Sequence, residues 1–218
     1  MYPTIRIGKI RTSKVELVDM AKAWLAISLA FALAFSGITL LNGTINNIFS
    51  VSFGIMFLVS LFTAGIGFLL HELAHKFTAQ RYGCLAEFRA FDQMLFLAVG
   101  LAALVGFIFA APGAVMIAGQ ITRKENGIIS LAGPLTNFGL GAVFFGLISI
   151  FPASSFFSSF FSIGFQINMW LGLFNMIPVW NFDGKKIWNW NNYVWLGMVL
   201  VGVLATDLFG IRTSLFGW

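Results

Sequence analysis

The sequence predicts an α-helical polytopic membrane protein, with five to six transmembrane helices and a small β-sheet at the membrane border. Three observations lead there. The 218 residues are 59% hydrophobic and only 10% charged, with 26 Phe and 7 Trp, a balance that soluble domains of this size do not show. Apolar stretches recur at the length a bilayer core requires, about 20 residues each. Lys and Arg gather in the short segments between those stretches, as they do in cytoplasmic loops. The net charge of +5 therefore reads as membrane topology and not as a nucleic-acid surface. With the spans counted, no room remains for a separate soluble domain, so residues 1–218 read as one membrane domain.

The N-terminal twenty residues carry Arg6, Lys9, Arg11, Lys14, Glu16 and Asp19, too polar for the core of a cleavable signal. Five spans follow, over 22–41, 50–80, 127–151, 157–180 and 192–209. A sixth apolar stretch, 93–118, contains Gly100 and Gly106 and meets Pro112-Gly113, which should stop a helix near Ala111. Cationic residues fall in 6–22, 76–89, 123–124 and 185–186, while 42–49 and 152–156 are uncharged. The positive-inside rule then puts the N-terminus, the end of the second span, 119–126 and Lys185-Lys186 in the cytoplasm, with Arg212 a single exception outside. Parity requires 93–118 to enter and return, as a helix with an extended return or as a re-entrant loop. Short strands are expected at Val115-Met116-Ile117, at Ile128-Ile129 and within Leu85 to Phe91. The single cysteine, Cys84, excludes an internal disulfide and a cysteine-based zinc site.

The second span ends in His71-Glu72-Leu73-Ala74-His75, which holds the only two histidines of the chain. Four-residue spacing stacks both imidazoles on one helical face, where they can grip one metal ion. Glu72 stands beside them as a candidate base for an activated water. Charged groups at mid-bilayer depth cost roughly 2.5 kcal/mol or more each on insertion scales, so a functional return is expected.

A catalytic zinc takes three protein ligands and keeps one position open. The acidic residues after His75 are Glu87, Asp92, Glu125, Asp183 and Asp207. Glu125 reads as a solvated turn, and Asp207 lies toward the outer end of the last span. Asp183 stands out, because it follows a helix break at Pro178 on the same cytoplasmic side as the histidines. Taken alone, an aspartate before Gly184 would be a helix cap; the paired histidines make it a candidate ligand.

His71-Glu72-x-x-His75 together with Asn175-x-x-Pro178 and Asp183-Gly184 resembles the site-2 protease family of intramembrane zinc metalloproteases. Ala132-Gly133-Pro134-Leu135-Thr136-Asn137 is similar to a glycine-proline-x-x-asparagine segment of that family. The match covers about 50–190 and looks like a minimal, archaeal-type member without a soluble peptide-binding domain. Phe182 stands where the family often has Leu. The resemblance implies a single intramembrane metalloprotease domain over 1–218, with Zn²⁺ held by His71, His75 and Asp183 and Glu72 as the general base. It further implies membrane-spanning protein substrates, a multi-pass place in the cell membrane and a site opening to the cytoplasm. Asn175 lies two helical turns before Asp183, so it could share that face and donate a hydrogen bond to the developing oxyanion. Asn137 is a weaker candidate of the same kind. Gly133-Pro134 reads as the start of a helix with Pro in its first turn. A membrane zincin with a downstream Glu ligand fits less well, since no Glu follows Glu125. A transporter would be expected to show polar residues in several spans or inverted repeats; apart from the residues named above, the spans are apolar.

Overall fold

The computed structural model describes residues 4–7, 10–108 and 113–208. Pro112 and Arg212, used above for the helix stop and the topology, lie outside the described residues, as does the last residue of the 192–209 span. The described chain is mostly helical. Three helices are long and apolar enough to cross a membrane: Lys14–Phe35, Val51–Arg81 and Arg123–Ile148. The chain divides into two compact units, Met1–Leu69 with Ala86–Ile117, and Leu70–Leu85 with Ala118–Trp218.

The first unit opens with an antiparallel pair of strands, β1 (Thr4–Ile7) and β2 (Ile10–Ser13), which the sequence did not suggest. Helix α1 (Lys14–Phe35) follows at once, eight residues earlier than the apolar pattern implied. Its start is a cap: the Ser13 hydroxyl accepts the Glu16 N–H at 3.1 Å. Glu16 is fully buried, and its carboxylate is satisfied. It accepts from the Thr12 hydroxyl at 2.7 Å and from the Phe88 N–H at 2.8 Å. Phe88 lies on β3 (Leu85–Ala90), so the carboxylate ties the helix start to a strand seventy residues away. An ion pair repeats the tie, with Arg89 of β3 meeting Asp19 of α1 at 3.6 Å while it also holds Glu87 on its own strand at 2.8 Å. Lys22 meets Asp92 at 3.0 Å. Helix α1 was read from hydrophobicity alone, which hid this polar first turn.

The second span is one unbroken rod built of α2 (Val51–Ser60), a π-helical turn (Leu61–Gly65) and α3 (Ile66–Arg81). The π turn widens the backbone and loosens carbonyls, which need partners in an apolar setting. Trp24 on α1 donates its indole N–H to the Leu61 carbonyl at 3.0 Å. Gly65 makes the approach possible, since a Cβ there would lie 2.3 Å from Trp24 Cδ1.

Helix α4 (Asp92–Val105) ends at Gly106, whose φ of 74° is left-handed and suits glycine. Its 14 residues rise about 21 Å, short of the roughly 30 Å of a bilayer core. Strand β4 (Gly113–Ala118) then pairs with β3. The expected strands near 85–91 and 115–117 therefore form. The one expected at Ile128-Ile129 does not, because those residues lie in a helix.

That helix, α5 (Arg123–Ile148), belongs to the second unit and begins in a capping box between Thr122 and Glu125. Glu125 is thus part of a helix N-terminus and not of a free turn. Pro134 sits in the interior of α5, contrary to the expectation of a first-turn proline. It removes one intrahelical amide and loosens the turn around it. Helix α6 (Phe156–Asn175) packs on α5 through small residues, as membrane helices do when lipid offers no hydrophobic drive for association. A Cβ on Gly172 would lie 2.3 Å from the Phe138 ring, and one on Gly141 2.8 Å from Met169 Sδ. A break follows α6, in which Trp180 adopts a φ of 48°, and the freed Met176 carbonyl accepts from the Trp195 indole at 2.7 Å. Two further helices follow among the described residues, α7 (Asp183–Trp190) and α8 (Asn192–Leu208).

Gly172→Val should lower stability by about 1–3 kcal/mol through overpacking against Phe138. Gly139→Ala, where a Cβ meets nothing within 4 Å, should be near neutral. Thermal unfolding of both variants in detergent micelles checks the pair.

Candidate metal centre

Helical spacing on α3 places His71 and His75 one turn apart on one face, with their rings edge to face at a centroid distance of 4.6 Å. Their Nε2 atoms are 3.0 Å apart. Asp183 Oδ2 lies 3.3 Å from His71 Nε2 and 3.0 Å from His75 Nε2. All three side chains are buried, and among the described residues they form the one group of three candidate ligands.

Helix α7 delivers the aspartate. Its first residue is Asp183, and Gly184 beside it lies against backbone: a Cβ there would be 2.1 Å from the Met176 carbonyl oxygen. Only glycine lets the helix start this close to the end of α6. Burial pushes the Asp183 carboxyl up. When the imidazoles carry a proton on Nε2, the His75 charge and hydrogen bonds from both rings outweigh it, with Lys186 helping, and hold the group well below the usual carboxylate range.

The other ring nitrogens decide what this cluster can do. His75 Nδ1 donates to the Ile129 carbonyl on α5 at 2.8 Å. His71 Nδ1 lies 2.5 Å from Asn137 Oδ1. Both acceptors require a proton on Nδ1, so a neutral ring presents only a lone pair at Nε2. Two such lone pairs and a carboxylate then converge, an arrangement that calls for a cation. Zinc bonds of about 2.0–2.2 Å at the tetrahedral angle put neighbouring donors roughly 3.3–3.6 Å apart. The observed 3.0–3.3 Å falls within a few tenths of an ångström of that. The residues fit the ion.

Sequence reasoning missed one wall of this site. Gly133 was read as part of a helix start; in the structure a Cβ on it would lie 2.4 Å from His75 Nε2 and 2.5 Å from His71 Nε2. The bare backbone of α5 therefore leaves the space beside the ligand atoms open. Nothing in a Gly-Pro pair announces that. Asn168 was also missed. It is fully buried on α6 and accepts from Asn137 Nδ2 at 3.1 Å. The available signal was an amide in the middle of a largely apolar stretch, which needs a partner in lipid.

Glu72 is buried next to the histidines. Asn137 is fully buried, with its amide between His71 and Asn168. Asn175 is half-buried at the last position of α6 and donates to the Leu171 carbonyl at 3.0 Å. The premise that it shares a continuous helical face with Asp183 does not hold, because the helix breaks between them. The remaining acids are elsewhere: Glu87 on β3 with Ser13 and Arg89, Glu125 in its capping box, Asp207 exposed on α8.

No protein-family model matches the chain. A Methanocaldococcus jannaschii protein named as a zinc metalloprotease is 39% identical over 202 residues, covering 91% of this chain and 97% of that protein. A second zinc metalloprotease of the same organism is 26% identical, covering 99% of this chain, which spans 59% of its length. A Bacillus subtilis protein also named as a zinc metalloprotease is 28% identical over 144 residues, 56% of this chain and 64% of that one. A solved site-2 protease of M. jannaschii has a TM-score of 0.42 at 19% identity, with 99% of this chain and 85% of that chain covered. The likeness to the first relative spans nearly all of both proteins and defines the class, a metalloprotease with membrane-spanning helices. Within that class, the chain belongs to the family of that M. jannaschii zinc metalloprotease, and its His71-Glu72-x-x-His75 and Asp183-Gly184 motifs are the ones that resemble the site-2 proteases.

Gly133→Ala should weaken zinc binding by about 10–100-fold, the range seen when the support of a metal site is disturbed. Competition with a chromogenic chelator measures it, and Gly139→Ala should bind as the wild type does.

Proposed function

We propose that the chain is an intramembrane zinc metalloendopeptidase that hydrolyses peptide bonds in or near the transmembrane segments of substrate proteins. The observation that carries this reading is the convergence of His71 Nε2, His75 Nε2 and Asp183 Oδ2 within 3.0–3.3 Å in a buried setting. In this reading those three residues hold the ion, and residues 1–218 act as one protease domain with its catalytic core over about 50–190.

Zinc bound there would activate water and polarise the scissile carbonyl. Glu72 supplies the proton transfer: its carboxylate takes a proton from the attacking water and returns it to the leaving amine nitrogen. Asn137 holds His71 in the ring form that offers Nε2. Asn175 spends one amide hydrogen on the Leu171 carbonyl and has a second to offer a developing oxyanion. A substrate helix hides its carbonyls in its own hydrogen bonds, so it must unwind before attack. A two-stranded sheet such as β3–β4 has edges that an extended segment can join.

The same reading places the chain in the cell membrane as a multi-pass protein of five to six spans. The N-terminus and the opening of the site face the cytoplasm, following the distribution of Lys and Arg.

Glu72→Gln should retain zinc and fold while cleavage of a membrane-spanning test substrate falls by about 10²–10⁴-fold. Retained cleavage removes Glu72 from the mechanism. Asp183→Ala should lose stoichiometric zinc and Asp207→Ala should keep it, as read by elemental analysis of the purified proteins. Equal zinc in the two variants rules out Asp183 as a ligand.

A further inference from the structure

A metal-binding histidine works only as the correct tautomer. His71 must carry its proton on Nδ1 to leave the Nε2 lone pair for the ion. The structure contains a chain of groups that fixes this proton from a distance. It begins at the Gly164 carbonyl oxygen, which can only accept. Asn168, one turn later on α6, directs Nδ2 at it, at 2.9 Å. That choice turns Oδ1 of Asn168 the other way, where it accepts from Asn137 Nδ2 at 3.1 Å. Oδ1 of Asn137 is then left facing His71 Nδ1 at 2.5 Å. An acceptor in that place requires the proton on Nδ1. Both asparagines have no exposed surface, so bulk water cannot offer the reverse pattern.

We infer that Asn168 is a positioning residue of the metal centre: acting through Asn137, it sets the tautomer in which His71 offers Nε2 to the ion. Every link has a fixed direction, because an amide has one donor end and one acceptor end. His75 is independent of this chain, since its Nδ1 donates to the Ile129 carbonyl on α5. A purely structural asparagine, bridging two helices in lipid, would hold α5 and α6 together without any effect on an imidazole tautomer. The inference rests on His71 being a metal ligand.

The chain has only two histidines, so histidine-selective ¹⁵N labelling of the full-length protein in detergent gives just two imidazoles to assign. The metal-free protein is read at about pH 8, above the ordinary imidazole range. In the wild type both rings should carry a proton on Nδ1, whether or not Asp183 holds a second one on Nε2. In Asn168→Leu, His71 should shift toward a mixture or toward Nε2–H while His75 stays put, and zinc affinity should fall about 10–100-fold. Asn168→Asp keeps an acceptor facing Asn137 Nδ2 and should preserve the His71 tautomer. An unmoved His71 with wild-type zinc affinity in Asn168→Leu overturns the inference while leaving the ligand set intact. So does a wild-type His71 found as Nε2–H, a result that needs no variant to fold. A wild-type chain that binds no zinc overturns the ligand reading, and this inference with it.

Discussion

Three lone pairs aimed at one point are unstable without a positive charge between them. His71, His75 and Asp183 present that situation in a setting where each side chain is largely shielded from solvent. The rest of the second unit can be read as the means of holding them there. Helix α3 contributes both imidazoles on one face, α5 orients them through Ile129 and Asn137, and α6 supplies Asn168 behind Asn137. Helix α7 brings its first residue, Asp183, to the imidazoles. The carboxylate then supplies the negative charge that two neutral rings lack, which suits a divalent ion.

Close approach is bought with glycine throughout this unit. In lipid, helices gain nothing by hiding apolar surface from each other, so contact has to come from fit. Gly141 and Gly172 let α5 and α6 touch through Met169 and Phe138. Gly184 does the same between backbones, and Gly133 does it against the imidazoles themselves. The last two differ from the first two in consequence. A methyl group at Gly172 strains packing, whereas one at Gly133 enters the space beside the ligand atoms.

The first unit shows a different economy. Its core is apolar, with Ala30, Leu33, Phe53 and Ala102 in one cluster. Its start is polar and fully paired: Glu16 accepts from Thr12 and Phe88, and Arg89 spans Glu87 and Asp19. A buried carboxylate with good hydrogen bonds fixes register more than it adds stability. Here it fixes β3 against the first turn of α1, long before the chain reaches its apolar stretch.

The sequence alone determined the membrane character, because composition and span length are properties of residues counted one by one. It also determined the two imidazoles, because four-residue spacing on a helix needs no tertiary information. Span 51–81 was legible for the same reason, though not its π turn, which depends on Trp24 finding Leu61. The polar start of α1 and the β1–β2 pair were not legible, since hydropathy is silent on residues that bond across long separations. Nor was the helical state of Ile128 and Ile129: β-branched residues look like a strand until the Thr122–Glu125 cap is known to start a helix ahead of them. Asp183 could be nominated from its place after a break, but only the packing of α7 against α5 sets its carboxylate at 3.0–3.3 Å from both rings. Gly133 and Asn168 were decided by tertiary structure altogether. What matters at those positions is an absent methyl group and the direction of an amide, and both acquire meaning only from what lies across the helix interface.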